Sequence, residues 1–416
     1  MRPIRWLLIA LAIGLAIRVP LLVHAQRQGV PGDQLQYSAQ ALANARGDWF
    51  EQPFVPGMPS AEHPPLTSLV LTPITWIVGE QGMELAQRLV VLTAGIANIF
   101  LFWRLGRRWS PRVASVAAMV AAVDAHLFLG DVLIFSETFG TTLLALLLLH
   151  LTAPTPTMER HRWRAPLVTG ALLGLLVLTR AELALLVPMV VLWSWFGATD
   201  RRRWPVIGRA LLPAFVAGVV VAPWVTWNLV RFQEPVTFST NDGLTFLGAN
   251  CDDTYYGENI GGWSIWCGLE IRDEPGDDPS VAAARRMDAA VAYAREHVDR
   301  LPLVATARVV RQWELGWIGR LASDSTEEGR PPWLVLAGSI QWYLFAPLAA
   351  VGLRHAGRRR RALLLLLPLQ VTIVAAVIEP QWRLRLPAEP AIVILTAIGL
   401  VAVWERQRTR PVSAAG

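Results

Sequence analysis

Lysine is missing from this 416-residue chain: all 38 basic residues are arginine. Cysteine occurs twice and charged residues make up only 17%, against about a quarter in an ordinary soluble domain. Each scarcity excludes something. Two thiols with no histidine nearby cannot make a structural zinc site. So little charge beside 53% hydrophobic residues and a mean hydropathy of +0.39 argues against two or three soluble domains. No Walker-type phosphate loop appears, so ATP-driven transport has no support, and neither zinc-hydrolase spacing nor a nucleophile elbow is present.

What the chain has instead is long apolar runs. Candidate membrane spans are 6–23, 86–103, 113–129, 133–151, 166–180, 182–197, 207–228, 332–353, 362–378 and 389–404. The opening MRPIRWLLIALAIGLAIRVPLLV begins like a signal peptide, but no small-residue cleavage site follows, so an uncleaved first span is expected. A pI near 10.1 is compatible with nucleic-acid binding. The arginines, however, sit in short clusters between apolar runs, which is a topological signal. Arg2 and Arg5; Arg104, Arg107, Arg108 and Arg112; Arg160, Arg162 and Arg164; Arg201 to Arg203; Arg354 and Arg358 to Arg361; and Arg406, Arg408 and Arg410 fall on alternate connections. The other connections include two long acidic loops: 24–85, with two arginines against six acids, and 229–331, with ten against seventeen. Ten spans with both termini cytoplasmic satisfy the positive-inside rule at every step. The expected fold is an all-α polytopic bundle of about ten helices (range 9–12) with two extracytoplasmic loop regions. The expected divisions are 1–228, a module carrying the first loop; 229–331, the second loop region; and 332–416, the last spans and a cytoplasmic tail.

The loops have their own texture. HPPLTSLVLTPITWIVG (63–79) is apolar but short and proline-containing, which suits a re-entrant or interfacial helix. A true span there would put the downstream arginine clusters outside. FSTNDGLTFLGANCDDTYYGENIGGWSIWCG (238–268) reads as turns. DPSVAAARRMDAAVAYAREHVDRLP (278–302) reads as an amphipathic helix, capped by Asp278 or Ser280 and followed by Pro302. Cys251 and Cys267 share the exported loop, where a disulfide is permitted and would stabilise it by roughly 3 kcal/mol; two buried thiols are the alternative.

Ionisable groups near spans are costly and are functional candidates by default. Asp33, Asp131, Glu137, Arg180, Glu182, Arg231, Arg383 and Arg385 gather at the outer ends of spans. An active site at that face would need such a group; anchoring of helix ends is the plainer reading.

PGDQLQYSAQALANARG, HPPLTSLVLTPI and RLVVLTAG, followed by FSETFGTTLLALLL, LTRAELALLVP, PWVTWNLVRFQEPVTFSTNDGLTFLGAN and QWRLRLPAEPAIVIL, resemble the GT-C membrane glycosyltransferases. The likeness is to the branch of protein mannosyltransferases and lipid A aminoarabinose transferases, and GANCDDTYYGENIGGW resembles the later loop of actinobacterial members. The resemblance implies inverting sugar transfer from a polyprenyl-phosphate donor in the outer leaflet of the cytoplasmic membrane to a glycan, lipid or protein. It maps the family's loop aspartate, general base or acceptor orienter, onto Asp33. Gln34 stands where many relatives carry a second acid, which argues against divalent metal; no metal and no other cofactor is expected.

The chemistry runs parallel to the resemblance. A hydroxyl acceptor needs a base, and the departing phosphate needs cations. Arginine suits phosphate through its planar fork of donors. Arg383 is the first choice, then Arg385 and Arg180, with His63 before the Pro-Pro step. Tyr37, Glu137, Glu182, Asn241 and Asn250 are candidate substrate contacts, although a structural ion pair suits Glu182 better. Tyr255, Tyr256, Trp263 and Trp266 could form a sugar platform or anchor the interface. The partners expected are lipid-linked donor, acceptor and membrane lipid, without nucleic acid. A flippase for lipid-linked sugars and a degenerate scaffold subunit are the competing readings. A flippase would favour charges at the bilayer midplane and internal repeats.

Overall fold

The computed structural model describes residues 3–153, 163–197, 204–272 and 274–409. Arg2, Arg160, Arg162, Arg201 to Arg203 and Arg410 lie outside them. Among the described residues the chain is helical; its only β-pairing is one isolated bridge, Glu51 to Pro59. In chain order the helices are α1 (Pro3–Gln28), α2 (Asp33–Arg46), α3 (Leu66–Gly106), α4 (Pro111–Val123), α5 (Ala125–Phe128), α6 (Glu137–Leu151), α7 (Arg164–Thr179), α8 (Leu186–Phe196) and α9 (Trp204–Arg231). There follow α10 (Asp242–Ala249), α11 (Asp252–Tyr255), α12 (Ile265–Leu269), α13 (Pro279–Glu296), α14 (Leu301–Gln312), α15 (Ile318–Asp324), α16 (Pro332–His355), α17 (Arg358–Val377) and α18 (Glu389–Thr409). Among the described residues six helical segments are long and apolar enough to cross a membrane, and four shorter apolar helices fall at the other expected spans.

Span ends differ from expectation where a polar residue caps the helix. The span expected over 113–129 stops at Val123, because Asp124 turns extended and its carboxylate accepts from the His126 backbone N–H at 3.0 Å. The segment 63–79 is joined to the next span in α3, broken only at Gly79 (φ 68°, ψ −176°). That conformation suits glycine. Gln87 Nε2 donates to Thr75 Oγ1 at 2.8 Å. A straight helix would set residues twelve apart about 18 Å from each other, so α3 folds back on itself at Gly79. Its first half packs on α2 and leaves Trp76 and Ile77 outward. In the second loop region Asp278 caps α13 as expected. Pro302 does not merely follow that helix; it sits in the first turn of a further one, α14, where its missing N–H costs nothing.

The core lies at α18, the most enclosed of the long spans. It crosses α16 with backbones nearly touching: a Cβ added at Gly352 would fall 1.9 Å from the Leu395 carbonyl, and one at Gly399 1.9 Å from that of Leu348. Close approach of this kind is how helices associate where the hydrophobic effect is weak.

Among the described residues, Arg108, Arg112 and Arg360 of the arginine clusters share one end of the bundle. Arg360 Nη1 donates to the Arg108 carbonyl at 2.6 Å, Arg112 pairs with Glu405 at 2.5 Å, and Arg108 Nη2 donates to the Leu149 carbonyl at 3.2 Å. Glu137 opens the same helix whose far end carries Leu149, a rise of about 18 Å along the axis. The acids and arginines of the candidate site therefore sit at the opposite end.

Candidate active site

Asp33 is the first residue of α2, delivered by the turn Gly29–Gly32, two glycines with positive φ. Its Oδ2 lies 2.6 Å from Arg383 Nη1. Arg383 belongs to the 3₁₀ turn Trp382–Ala388 that leads into α18. Its Nε lies 2.9 Å from Glu328 Oε1 and donates to Gln381 Oε1 at 2.8 Å; its Nη1 is 3.8 Å from Glu137 Oε1. Glu137, buried at the start of α6, pairs with Arg180 at 2.7 Å, and Arg180 also contacts Glu182 and Ser136. Asp33, Glu137, Glu182 and Arg180 thus meet Arg383 in one network.

His63 stands on the other side of Asp33, with Nε2 3.8 Å from Oδ1 and no hydrogen-bond partner. Its ring stacks on Tyr37 at 4.4 Å. Burial lowers the imidazole pKa further than Asp33 raises it, so His63 is neutral and supplies no positive charge. Burial would raise the Asp33 carboxyl, but Arg383 holds it well below the usual carboxylate range. Burial and the Asp33 charge push neighbouring Glu62 up to about 7. Glu62, His63, Tyr37, Gln36 and Ser60 line a small cleft of about 10 Å³, reached past His63 from Asp33. The Ser239 hydroxyl reaches the Glu62 carbonyl at 2.5 Å and accepts from the Asn241 N–H at 2.9 Å, which places Asn241 next to this loop.

Other expected residues lie elsewhere. Arg385 turns away from Arg383 into a separate buried cluster with Glu314 at 2.6 Å and Glu389 at 3.0 Å. Asp131 pairs with Arg18 at 2.7 Å inside the bundle. Arg231 donates to the Phe50 and Ser60 carbonyls and stacks over Trp227, tying α9 to the first loop. Asn250 accepts from Tyr255 Oη at 2.7 Å and donates to the Phe246 carbonyl at 2.7 Å, within the second loop region. Tyr255 is buried there, Trp263 Nε1 donates to the Thr245 carbonyl, Arg300 covers Tyr256, and Trp266 points outward, so these aromatics make no common platform. Cys251 and Cys267 form the disulfide.

Sequence reasoning missed three residues. Glu328 bridges Arg383 and Arg330. Arg330 is buried, lies over Phe135 at 5.1 Å on a ring that Arg383 also covers at 5.4 Å, and leaves Nε and Nη2 without partners. Glu379, buried behind Gln381, is pushed up to about 8 by burial, against the pull of Arg383. The only signal for the first two was the charge-dense EEGRPP preceding a span. Gln34 also has a role that its neighbours define. Its Oε1 accepts from Arg88 at 3.2 Å and the Ile134 N–H at 3.1 Å, while Nε2 donates to the Glu328 carbonyl at 3.1 Å. A carboxylate could not make that last bond.

Comparison with known proteins bears on the fold. Residues 62–227 match the family described as dolichyl-phosphate-mannose-protein mannosyltransferase. No curated protein matches the chain in sequence. Among solved structures it is similar to the oligosaccharyltransferase of Archaeoglobus fulgidus in its apo form, at TM-score 0.57 and 12% identity, covering 97% of this chain and 51% of that one. The same enzyme tethered to an acceptor peptide containing the NVT sequon matches at TM-score 0.57 and 12% identity, covering 97% and 50%. ArnT from Cupriavidus metallidurans bound to undecaprenyl phosphate matches at TM-score 0.44 and 16% identity, covering 95% and 77%. The fold is that of the GT-C glycosyltransferases, and the chain spans about half the length of the oligosaccharyltransferase it resembles.

Proposed function

We propose that the chain is a membrane glycosyltransferase that moves a sugar from a polyprenyl-phosphate carrier to a hydroxyl acceptor, with inversion, at the outer face of the cytoplasmic membrane. One observation carries this reading: Asp33, Arg383, His63 and Arg330 converge at the end of the bundle opposite the arginine clusters. With those clusters cytoplasmic, both termini are cytoplasmic and the site faces out.

The acceptor oxygen attacks the anomeric carbon as the bond from that carbon to the phosphate oxygen breaks. The electron pair leaves with the phosphate, and the acceptor proton passes to the Asp33 carboxylate. As paired with Arg383, Asp33 is a weak base. A donor phosphate that engages Arg383 loosens the pair and raises the basicity of Asp33 just when the acceptor must lose its proton. Arg330 brings unpartnered guanidinium donors toward the same ring of Phe135, so it suits the charge that builds on the leaving phosphate. The cleft lined by Gln36, Ser60 and Glu62 is polar enough for a hydroxylated acceptor. A peptide, as in the tethered relative, is one class; a glycan or lipid hydroxyl is another.

The test is release of polyprenyl phosphate by purified protein in lipid nanodiscs supplied with a panel of polyprenyl-phosphate sugars and envelope extract. Asp33→Asn should fold and lose release. Equal release by Asp33→Asn and wild type would overturn the assignment.

A further inference from the structure

The second buried cluster takes no part in the proposed transfer. Asp124 is 1% exposed, His126 2% and Glu389 0%, and their metal-ligating atoms lie within 4.8 Å of one another. They come from three places in the chain: the corner after α4, the start of α5 and the first residue of α18. Trp382 stacks on the His126 ring at 4.6 Å and closes one side. Gln341 holds the corner by bonding both the Ala125 N–H and the Val123 carbonyl.

The hydrogen bonds leave several buried oxygens of this cluster without a partner. His126 Nε2 lies 2.6 Å from Glu314 Oε1, so that nitrogen donates. The remaining ring nitrogen, Nδ1, faces Asp124, whose Oδ1 is 3.7 Å away, too far for a hydrogen bond. Asp124 Oδ2, Glu314 Oε2 and both oxygens of Glu389 have no hydrogen-bond partner at all. Arg385 does not fill the gap. Its Nη1 is committed to Glu314, and its Nε, 3.0 Å from Glu389, is not aligned to donate. Three buried carboxylates face one guanidinium and one imidazole, and four of their six oxygens have no hydrogen-bond partner.

We infer that Asp124, His126 Nδ1 and Glu389 bind one divalent transition-metal ion, of the zinc or manganese class. One imidazole nitrogen with two carboxylates is a donor set that favours those metals over calcium. Glu314 then serves as the carboxylate behind the histidine that fixes its tautomer. The ion's place gives it a structural consequence. Glu389 directly follows the turn Trp382–Ala388, and that turn carries Arg383 to Asp33. The ion would pin the base of the turn and so set the position of Arg383.

The purified chain in nanodiscs, stripped with EDTA, reloaded with Zn²⁺ or Mn²⁺ and desalted, should retain about one ion per chain by mass spectrometry of the metal. Glu389→Gln and Asp124→Asn should each lower retention at least about fivefold, and reloading should raise the wild-type Tm by about 5 °C. Fewer than about 0.1 ion per chain, or equal retention in both variants, would overturn the site. Should the variants fail to fold, Co²⁺ loading of the wild type decides. A visible absorption band of nitrogen- and oxygen-ligated cobalt supports the site, and its absence rules it out. These readouts do not depend on sugar transfer, so their failure is separate from failure of the proposed function.

Discussion

Two arginines, two residues apart, serve two different kinds of charge cluster. Arg383 faces a site that is partly open, beside a cleft, and it is shared among Asp33, Glu328 and Glu137. Arg385 faces a sealed one, between Glu314 and Glu389. In a 3₁₀ turn successive side chains rotate by about 120°, so residues two apart diverge and one short turn can supply both. The open cluster can exchange partners when a ligand arrives, whereas the sealed one has no solvent to replace a lost partner. The difference teaches that a buried arginine beside an acid is by itself no sign of catalysis; a path to the outside is what separates the two.

The comparison can be broken or sharpened experimentally. The largest expected effect is in the open cluster: Asp33→Asn should lower transfer by at least about 10³-fold while Tm changes by less than about 3 °C, read by product release and thermal unfolding. Arg330→Met should lower transfer about 10²-fold, and Arg330→Lys should recover part of it, because Lys keeps the charge but not the planar donor fork. The sealed cluster should respond in the opposite way. Arg385→Met leaves Glu314 and Glu389 unmatched and should cost about 3–5 kcal/mol of stability, seen as a fall in Tm and yield of folded protein. If Arg385→Met folds normally and only transfer suffers, the distinction collapses.

Reducing Cys251–Cys267 should loosen the second loop region by about 3 kcal/mol on the chain-entropy account, measured by proteolysis or hydrogen exchange over 238–272. The smallest effect concerns pH. The folded pKa of Glu379 is raised from 4.5 to about 8, so its neutral form favours folding. That contribution is complete below pH 4.5 and is lost as pH rises through 8. Glu379→Gln should flatten the fall of Tm between pH 5 and 8.

The helical bundle was legible because apolar runs and arginine clusters are local signals that length and charge counting detect. Asp33, His63, Glu137, Arg180 and Arg383 could be found from motifs near span ends. What stayed hidden depends on pairings across the fold. Gln34 reads as a missing carboxylate in sequence, yet its amide joins Arg88, Ile134 and Glu328, residues far apart in the chain. Arg330 and Glu328 sit in a polar stretch whose composition does not reveal that it turns inward. Arg385 and Arg383 look equivalent until the turn geometry separates them. The fold-back of α3 rests on a single glycine conformation and a Gln87–Thr75 bond that no periodicity encodes.

The heptapeptide from Trp382 to Ala388 therefore has a fixed length as well as a fixed composition. Deleting Leu384, or inserting a residue beside it, would swing a guanidinium out of one neighbourhood and so disturb both clusters at once. Point substitutions there can fail one function at a time; a frame-preserving indel cannot, so natural variation in this turn should be confined to side-chain exchange.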